Sequence, residues 1–303
     1  MSFTVTILGS SSALPTSDRN LTAHVLNVDE RFFLIDCGEG TQLQLRKYKA
    51  KLSRLDHIFI THLHGDHTFG LPGLIASLNL LGRKHDLHIY AHPDLQKLLG
   101  QFMSYYFTNL DFPILYHPLN YKSSEIIYED KKITVESFPL KHRVPTCGFV
   151  FREKKPLQNI RKEMIEFYKI PIRDIQSIKN GDNFISEEGK TITNNILTTD
   201  PPPQKSYAFC SDTCYFENII PAVKNVTLMY HEATFADEDA ERAAETFHST
   251  ASDAAKIAKL SNAEKLIIGH FSARYKDVSP LVEQAKKIFP NTQAVEDGMS
   301  III

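Results

Sequence analysis

The segment THLHGDH, at residues 61–67, constrains this chain more than any other feature. It places three histidines and one aspartate within seven residues, directly after the apolar run HIFI at 57–60. The whole chain has 13 histidines among 303 residues, so this local density is not expected from composition. A structural histidine network is the alternative, but buried imidazoles need hydrogen-bond partners and seldom crowd a glycine turn. The segment therefore favours a metal site at the end of a strand.

The spacing within this segment suits metal coordination. His62 and His64 are two residues apart, so in extended backbone their side chains face the same side. Gly65 allows a sharp turn that brings Asp66 and His67 to a second position. Imidazole nitrogens and carboxylate oxygens together suit zinc, and also manganese or iron.

Further polar residues follow apolar β-like runs later in the chain. They stand at or near the ends of the runs ITVESFPLKH, YAFCSDT, VTLMYHE and LIIGH, and they are His142, Asp212, His231 and His270. Active sites of layered α/β folds gather at one edge of the sheet, where strands end. We therefore expect these residues to join the 61–67 segment in a single site.

Hydrophobic periodicity predicts a layered α/β fold. Strands are predicted at 3–9, 24–28, 31–38, 57–62, 87–92, 133–142, 147–153, 207–213, 226–232 and 266–270. Helices are predicted at 41–55, 71–82, 94–107, 251–260 and 280–289. A length of 303 residues is within reach of one large α/β domain.

Composition argues against several classes of protein. The formal net charge of −2 does not indicate a nucleic-acid binder, so a polyanion would need local basic patches or metal. No run approaches 18 apolar residues, and we expect no membrane span. The N-terminus has no secretion-signal pattern, and the four cysteines lack CxxC spacing. Reduced thiols and a cytoplasmic location are therefore expected.

The segment 152–206 differs from the rest of the chain. Residues 152–173 carry seven lysines and arginines against three glutamates, a local net charge of +4. The segment is predicted to be an insertion between two strands, either as a solvated surface helix or as an interaction arm.

The pattern HxHxDH followed by a later histidine, an aspartate and a final histidine resembles the metallo-β-lactamase superfamily. Within that superfamily the chain is similar to the ribonuclease Z family, through GLPGL (70–74), SDT (211–213), HEATF (231–235), HST (248–250) and GHFSARY (269–275). The resemblance covers nearly the whole chain. It implies an α/β fold, a four-layer αββα sandwich, forming a single domain over 1–303 with an inserted arm at 152–206.

The resemblance also implies a binuclear centre with two divalent metal ions per subunit. Zinc is the expected metal, with manganese or iron as alternatives. His62, His64 and His142 would bind the first ion, and Asp66, His67 and His270 the second, with Asp212 bridging them. Two ions about 3.5–4 Å apart can stabilise both the attacking and the leaving oxygen of phosphodiester cleavage. Asp36 in LIDCGEG would support the metal-binding loop.

The implied reaction is removal of the 3′ trailer from precursor tRNA, leaving a 3′-hydroxyl on the tRNA and a 5′-phosphate on the trailer. Asp66 would orient or deprotonate the attacking water. His248 would protonate the leaving 3′ oxygen, and Glu232 would hold its imidazole in orientation. His231 is expected either to support the site or to be an ordinary core histidine.

The family's arm and its homodimeric state imply the partners: precursor tRNA and a second copy of the chain, with no membrane. Candidate tRNA contacts are Arg19, Asn20, Lys154, Lys155, Arg161 and Lys162. Two departures from the family pattern concern these contacts. PTSDRN (15–20) has Ser17 in place of the lysine of PxKxRN, and the arm has no Gly-Pro pair.

Three other functions fit parts of this pattern. A small-molecule phosphodiesterase or arylsulfatase of the same fold would need no basic arm. A thioester or lactam hydrolase would not be expected to carry HEATF and HST. A non-catalytic metal-binding scaffold would be expected to have lost ligands, and none is missing from this sequence.

Overall fold

The computed structural model describes residues 3–106, 109–154, 157–201 and 203–303, and these form two compact units. The larger unit comprises the residues up to 130, together with 134–151 and 205–303. The smaller unit comprises 131–133 and 152–204.

The strands and helices of the described residues alternate along the chain. The strands are β1 Phe3–Gly9, β2 Ala23–Val28, β3 Arg31–Ile35, β4 Leu55–Phe59, β5 Leu87–Ala91, β6 Ile114–Pro118, β7 Glu125–Glu129, β8 Ile133–Leu140, β9 Thr146–Glu153, β10 Asn159–Ile160, β11 Phe184–Ile185, β12 Thr191–Ile192, β13 Thr198–Thr199, β14 Ser206–Cys210, β15 Leu228–Glu232, β16 Lys265–Gly269, β17 Thr292–Ala294 and β18 Ser300–Ile302. The helices are α1 Thr41–Lys47, α2 Gly65–Thr68, α3 Leu71–Leu80, α4 Asp94–Tyr106, α5 Lys162–Phe167, α6 Ile172–Lys179, α7 Asn194–Leu197, α8 Ala240–Thr246, α9 Ala251–Leu260 and α10 Ser279–Lys286.

Two seven-stranded sheets organise the larger unit. The first has the order β18-β1-β2-β3-β4-β5-β6, and the second has the order β17-β16-β15-β14-β9-β8-β7. In the first sheet β3, β4, β5 and β6 run parallel, and in the second β14, β15, β16 and β17 run parallel. The carboxyl ends of parallel strands meet at one edge of a sheet, which is where loops can assemble a site.

Helices cover the outer faces of both sheets, so the unit is the expected four-layer αββα sandwich. Buried side chains of α1, α3 and α4 pack on the first sheet, and those of α9 and α10 pack on the second. Aromatic side chains fill the space between the sheets: Phe33 contacts Phe59 and Phe151, and Phe59 also contacts Phe149. This is the fold predicted from the sequence.

The predicted strands mostly exist, but several end earlier than predicted. The runs predicted to end at 38, 62, 142 and 213 leave the sheet after Ile35, Phe59, Leu140 and Cys210. The polar residues beyond these ends therefore lie in loops. β6, β7 and the two strands after α10 had no clear signal in the sequence.

The helix predicted at 41–55 is wrong beyond Lys47. α1 ends there, Lys49 adopts a left-handed φ of 57°, and a short 3-10 turn at Leu52–Arg54 leads into β4. Leu55 is already a strand residue, so the apolar spacing read as one helix belongs to two elements.

The smaller unit has its own hydrophobic cluster. Its buried members are Ile170, Ile178, Phe184, Ile192 and Leu197. α5 and α6 are joined by a turn in which Lys169 has a φ of 51°. Two two-stranded sheets, β10 with β13 and β11 with β12, complete the unit. Within the described part of the chain, no helix has the length and apolar character needed to cross a membrane.

Candidate metal centre

The predicted ligands lie after strands of both sheets, in loops and in one short helix. His62 and His64 follow β4, and Asp66 and His67 lie in α2. The other predicted ligands follow β8, β14 and β16, and are His142, Asp212 and His270. Gly65 begins α2 instead of forming a tight turn, and a Cβ atom there would lie 2.4 Å from the ring of Phe69.

The first cluster able to hold a metal ion contains His62, His64, His142 and Asp212. Nδ1 of His64 lies 2.9 Å from Nε2 of His62 and 3.4 Å from Nε2 of His142. Oδ2 of Asp212 lies 3.7 Å from Nε2 of His62 and 3.9 Å from Nε2 of His142. Ligands about 2.0–2.1 Å from a tetrahedral ion are about 3.3–3.4 Å apart, so these separations suit such an ion.

The second cluster contains Asp66, His67, Asp212 and His270. Nε2 of His67 lies 3.3 Å from Oδ2 of Asp66 and 3.4 Å from Oδ1 of Asp212. Nε2 of His270 lies 3.4 Å and 3.3 Å from the same two oxygens. Asp212 therefore belongs to both clusters, with Oδ2 towards the first and Oδ1 towards the second.

Two buried nitrogens support cation binding at the second cluster. Nε2 of His67 and Nε2 of His270 have no hydrogen-bond partner among the described residues. A buried polar atom without a partner costs about 1–3 kcal/mol, and a metal ion would satisfy both nitrogens. The donor set of imidazoles and carboxylates also suits a divalent ion.

Hydrogen bonds hold the other ring nitrogen of four of these histidines. Nδ1 of His67 lies 2.7 Å from Oδ2 of Asp36, and Nδ1 of His142 lies 2.9 Å from the carbonyl oxygen of Phe247. The corresponding partners of His62 and His270 are the hydroxyls of Thr61 and Thr234, at 3.0 and 2.8 Å. Bonds of this kind fix the tautomer and leave Nε2 free to coordinate.

Backbone conformation at two strand ends also shapes the site. Asp36 follows β3 with a φ of 56°, and His270 follows β16 with a φ of 61°. Left-handed φ is uncommon for residues other than glycine, and such residues cluster at functional sites. Asp36 accepts hydrogen bonds from the amide and hydroxyl of Thr61, which ties β3 to the histidine segment.

The two carboxylates of the centre are ionised. Burial by itself would raise the pKa of Asp66 and of Asp212, but the neighbouring imidazoles of His67 and His270 lower both pKa values below the ordinary range. Burial lowers the pKa of His62 and His142, which favours the neutral imidazoles that bind metal. At the first cluster the ligands His62, His142 and Asp212 are therefore in the deprotonated form that binds metal. At the second cluster burial by itself would lower the pKa of His67, but the carboxylates of Asp66, Asp212 and Asp36 raise it, so an ion there would displace a proton.

His248 and Glu232 form a hydrogen-bonded pair beside the second cluster. Nδ1 of His248 lies 2.9 Å from Oε1 of Glu232. Burial would lower the pKa of His248, but the charge of the Glu232 carboxylate and this hydrogen bond raise it to about 9. His248 is therefore protonated at neutral pH, as a proton donor must be.

His231 belongs to neither of the two clusters. It is buried, and its Nδ1 lies 2.7 Å from the backbone carbonyl of Glu232. It directly precedes Glu232, the last residue of β15.

A cavity of roughly 530 Å³ opens over the clusters and His248. Three arginines line this cavity: Arg143, Arg242 and Arg274. The sequence pattern did not single out Arg143 and Arg242, whereas Arg274 lies within the GHFSARY segment. Arg242 and Arg274 pair with Glu245 and Asp239. In the sequence Arg143 adjoins His142 and Arg242 lies shortly before HST, and the structure brings all three arginines together around one opening.

Arg19 and Asn20 lie at a second cavity and its margin. This cavity has a volume of roughly 660 Å³ and is lined by Arg19 and Lys276, among others. The amide and side chain of Asn20 both donate to Oδ2 of Asp297, at 2.7 and 2.9 Å. Both cavities share Ala273, so the 15–20 loop is next to the candidate centre.

The remaining candidate RNA contacts belong to the smaller unit. Arg161 and Lys162 are exposed there, and Lys154 is half-buried. Lys155 lies outside the described residues.

Similarity to known proteins extends over the whole chain. The family model described as Anti-Pycsar protein Apyc1 matches residues 3–156. A protein of Phocaeicola vulgatus named ribonuclease Z is 47% identical over 301 residues, which is 99% of this chain and 97% of that protein.

Solved structures show the same fold. The short form of human tRNase Z superposes with a TM-score of 0.72 at 28% identity, over 98% of each chain. The metallo-β-lactamase fold protein YhfI from Bacillus subtilis superposes with a TM-score of 0.70 at 18% identity, over 100% of each chain. The second likeness concerns the fold alone.

Proposed function

Because this chain belongs to the ribonuclease Z family, we propose that it is the endoribonuclease that removes the 3′ trailer from precursor tRNA. Residues 3–156 also belong to the family described as Anti-Pycsar protein Apyc1, but that match ends before Glu232 and His248. The similarity to ribonuclease Z covers 99% of the chain and so extends past both positions. The pairing of His248 with Glu232 beside the candidate metal clusters is the observation that carries the proposal.

The proposed ligands correspond to the two clusters. His62, His64 and His142 would hold one ion, Asp66, His67 and His270 would hold the other, and Asp212, which belongs to both clusters, would serve both ions. Zinc is the proposed ion, and manganese or iron would also suit these ligands. When bound, two divalent ions neutralise the phosphodiester and activate water for attack.

The protein's own groups then move two protons. Asp66 lines the cavity and accepts the proton that the attacking water loses. Water adds to phosphorus, the bond to the 3′ oxygen breaks, and His248 donates its proton to that oxygen. The products are tRNA with a 3′-hydroxyl and a trailer with a 5′-phosphate. Glu232 keeps the His248 ring protonated and in orientation.

Basic groups on two parts of the chain are proposed to hold the RNA. Arg19 and Asn20 lie beside the catalytic cavity, and the three arginines of that cavity add positive charge close to the scissile phosphate. The smaller unit is the proposed tRNA-binding arm. Its residues 152–173 have a net charge of +4, while 174–204 have two lysines against five acidic residues, a net charge of −3. We therefore assign RNA contact to the first part, which includes Lys154, Lys155, Arg161 and Lys162.

The proposed homodimer is supported by α4. Leu95, Leu99 and Met103 on one side of this helix are buried, whereas the neighbouring stripe Leu98, Phe102 and Tyr105 is exposed. Exposed apolar patches of this kind mark protein interfaces. Sedimentation should show a dimer that Phe102→Glu converts to monomer, while Leu260→Glu, at another exposed leucine, leaves it dimeric. A monomeric wild type would contradict the proposal.

Free thiols agree with the proposed cytoplasmic location. Cys37, Cys147 and Cys210 are buried, Cys214 is half-buried, and all four are unpaired with one another. A reducing compartment keeps such thiols free.

The deciding experiment compares two substrates. The zinc-loaded protein is incubated with a trailer-bearing precursor tRNA and with bis-p-nitrophenyl phosphate, with His64→Ala as an inactive control. We expect cleavage of the precursor at the trailer junction, with the 3′ end of the product mapped. Cleavage of the small ester alone would instead identify a small-molecule phosphodiesterase of the same fold.

A further inference from the structure

The threonine of the HEATF segment contacts three groups of the candidate centre at once. The hydroxyl oxygen of Thr234 lies 2.8 Å from Oε2 of Glu232, 2.8 Å from Nδ1 of His270 and 3.3 Å from Nδ1 of His248. Thr234 is buried, so none of these polar contacts is exchanged freely with water. Thr234 is neither a candidate metal ligand nor the proposed proton donor, so its role has to be inferred from these contacts.

The hydrogen bonds that Glu232 accepts decide which partner donates in each contact of the Thr234 hydroxyl. Its Oε1 accepts from the amides of Thr213 and Ser249, and its Oε2 accepts from the amide of Thr234. Three amide donors fix both oxygens as acceptors. The Thr234 hydroxyl therefore donates its single hydrogen to Oε2, and its lone pairs remain to accept from an imidazole.

The tautomer of His270 follows in turn. Because the Thr234 oxygen can only accept from it, Nδ1 of His270 carries the hydrogen and Nε2 presents its lone pair. Nε2 is the buried atom without a hydrogen-bond partner, and it faces Asp66 and Asp212. The Thr234 hydroxyl thus fixes the tautomer of His270 in which Nε2, the nitrogen that faces the second cluster, is free to bind a metal ion.

A similar arrangement, with one difference, occurs at the first cluster. The Thr61 hydroxyl lies 3.0 Å from Oδ2 of Asp36 and 3.0 Å from Nδ1 of His62. Asp36 also holds His67, which belongs to the second cluster. The Thr61 hydroxyl also lies 3.2 Å from the Ser211 hydroxyl. The histidines that it reaches, directly or through Asp36, are both candidate metal ligands, whereas the carboxylate bound by Thr234 holds His248.

We propose that Thr234 is a positioning residue that couples the orientation of the His270 ligand to that of the proton-donating His248 through Glu232. The inference rests on the proposed function for the role of His248. It predicts that loss of the hydroxyl weakens metal retention and proton donation together, while loss of the Thr61 hydroxyl affects metal retention alone.

The first test measures zinc retention during titration with a chelator. Thr234→Val should lose half its zinc at a chelator concentration about 10- to 100-fold below that for wild type. Thr234→Ser should behave as wild type, because it keeps the hydroxyl. Thr292→Val is the matched control, since Thr292 is also buried and its hydroxyl donates to the Phe289 carbonyl instead. If Thr234→Val does not fold, Thr234→Ala replaces it.

The second test compares substrates on zinc-saturated protein. The nitrophenolate of bis-p-nitrophenyl phosphate leaves without a proton, whereas the 3′ oxygen of tRNA needs one. Single-turnover cleavage of precursor tRNA by Thr234→Val should fall at least about tenfold further than its ester hydrolysis. Thr61→Val, whose expected defect is in metal retention alone, should recover wild-type rates on both substrates once it is saturated with zinc.

The outcomes separate the inference from the proposed function. Zinc retention in Thr234→Val equal to that of Thr292→Val, or failure of Thr234→Ser to restore it, would overturn the inference. Equal loss on both substrates would remove the coupling to His248. A wild type that hydrolyses the ester but not precursor tRNA would refute the proposed function instead, and the zinc measurement would still decide the role of Thr234.

Discussion

At the residue scale, His248 shows how one buried carboxylate sets the chemistry of a neighbour. The Glu232 carboxylate accepts hydrogen bonds from three backbone amides and from the imidazole of His248. These bonds offset the free-energy cost of burying its negative charge. The result is a histidine with a pKa of about 9, which keeps its proton at neutral pH.

This pKa predicts the alkaline limb of RNA cleavage. Below about pH 9 His248 is protonated, so single-turnover cleavage of precursor tRNA should be limited by other groups; above it, the rate should fall about tenfold per pH unit. Glu232→Gln removes the charge that raises the pKa and leaves burial, which lowers it. Its alkaline limb should therefore begin at lower pH. His248→Ala should retain zinc and lose about 100-fold or more in rate, and unchanged turnover would remove His248 from the mechanism.

A second prediction concerns His24, which lies between the sheets. Nδ1 of His24 is 2.7 Å from the Tyr207 hydroxyl, and burial lowers its pKa from 6.5 to about 3. Between these pH values the unfolded chain binds a proton that the folded protein does not. The contribution of His24 to the free energy of unfolding should therefore fall by about 1.4 kcal/mol for each pH unit of acidification in this window.

Urea titrations at several pH values provide the measurement. His24→Gln keeps a neutral hydrogen-bonding side chain and should show a shallower fall in stability between pH 6.5 and 3 than wild type. Identical slopes would mean that His24 does not contribute.

At the scale of elements, the site is built from the loops that leave the strands. The strands place their carboxyl ends at one edge, and short loops then turn polar side chains into the same cavity. The helix after His248 anchors one of these loops. Thr250 caps α9, accepting from the amide of Asp253 while the Asp253 carboxylate accepts from the amide of Thr250.

Loss of this cap should destabilise the protein measurably. Thr250→Ala leaves amides at the start of α9 without their partner, and the free energy of unfolding should fall by about 1 kcal/mol. Thr250→Ser, the matched control, keeps the oxygen and should retain most of that stability. Denaturant unfolding monitored by circular dichroism distinguishes the two, and equal stability of both variants would contradict the role of the cap.

At the scale of the whole molecule, the chain forms two compact units, for which we propose different tasks. The larger unit contains both metal clusters and His248, and the smaller unit has a hydrophobic cluster made only of its own residues. A unit with its own core can be removed with less risk to the remaining fold.

Replacing 157–201 by a Gly-Ser linker tests the arm. We expect precursor tRNA cleavage to weaken strongly at low substrate concentration, because phosphate contacts are lost, and bis-p-nitrophenyl phosphate hydrolysis to be spared. The dependence of tRNA cleavage on salt should also become shallower. Equal loss with both substrates would show that the segment supports the fold of the larger unit.

The sequence by itself determined the chemistry and the layers. HxHxDH has a spacing that only a metal site explains well, and alternating apolar runs predict strands and helices from local periodicity. Both patterns depend only on residues close together in the sequence, so they can be recognised without knowing the fold. The helix predicted to 55 failed because two short elements share one apolar spacing, and only the left-handed Lys49 separates them.

Only the tertiary structure decided which residues complete the site. Asp297, Arg143 and Arg242 lie outside every motif of the sequence. Thr61, Thr234 and Arg274 lie within motifs, but the motifs gave them no role. Their roles come from contacts between residues far apart in the chain: Asn20 meets Asp297, and Thr234 meets His270. Such contacts depend on how strands from both sheets bring their ends to one edge, which local sequence does not encode.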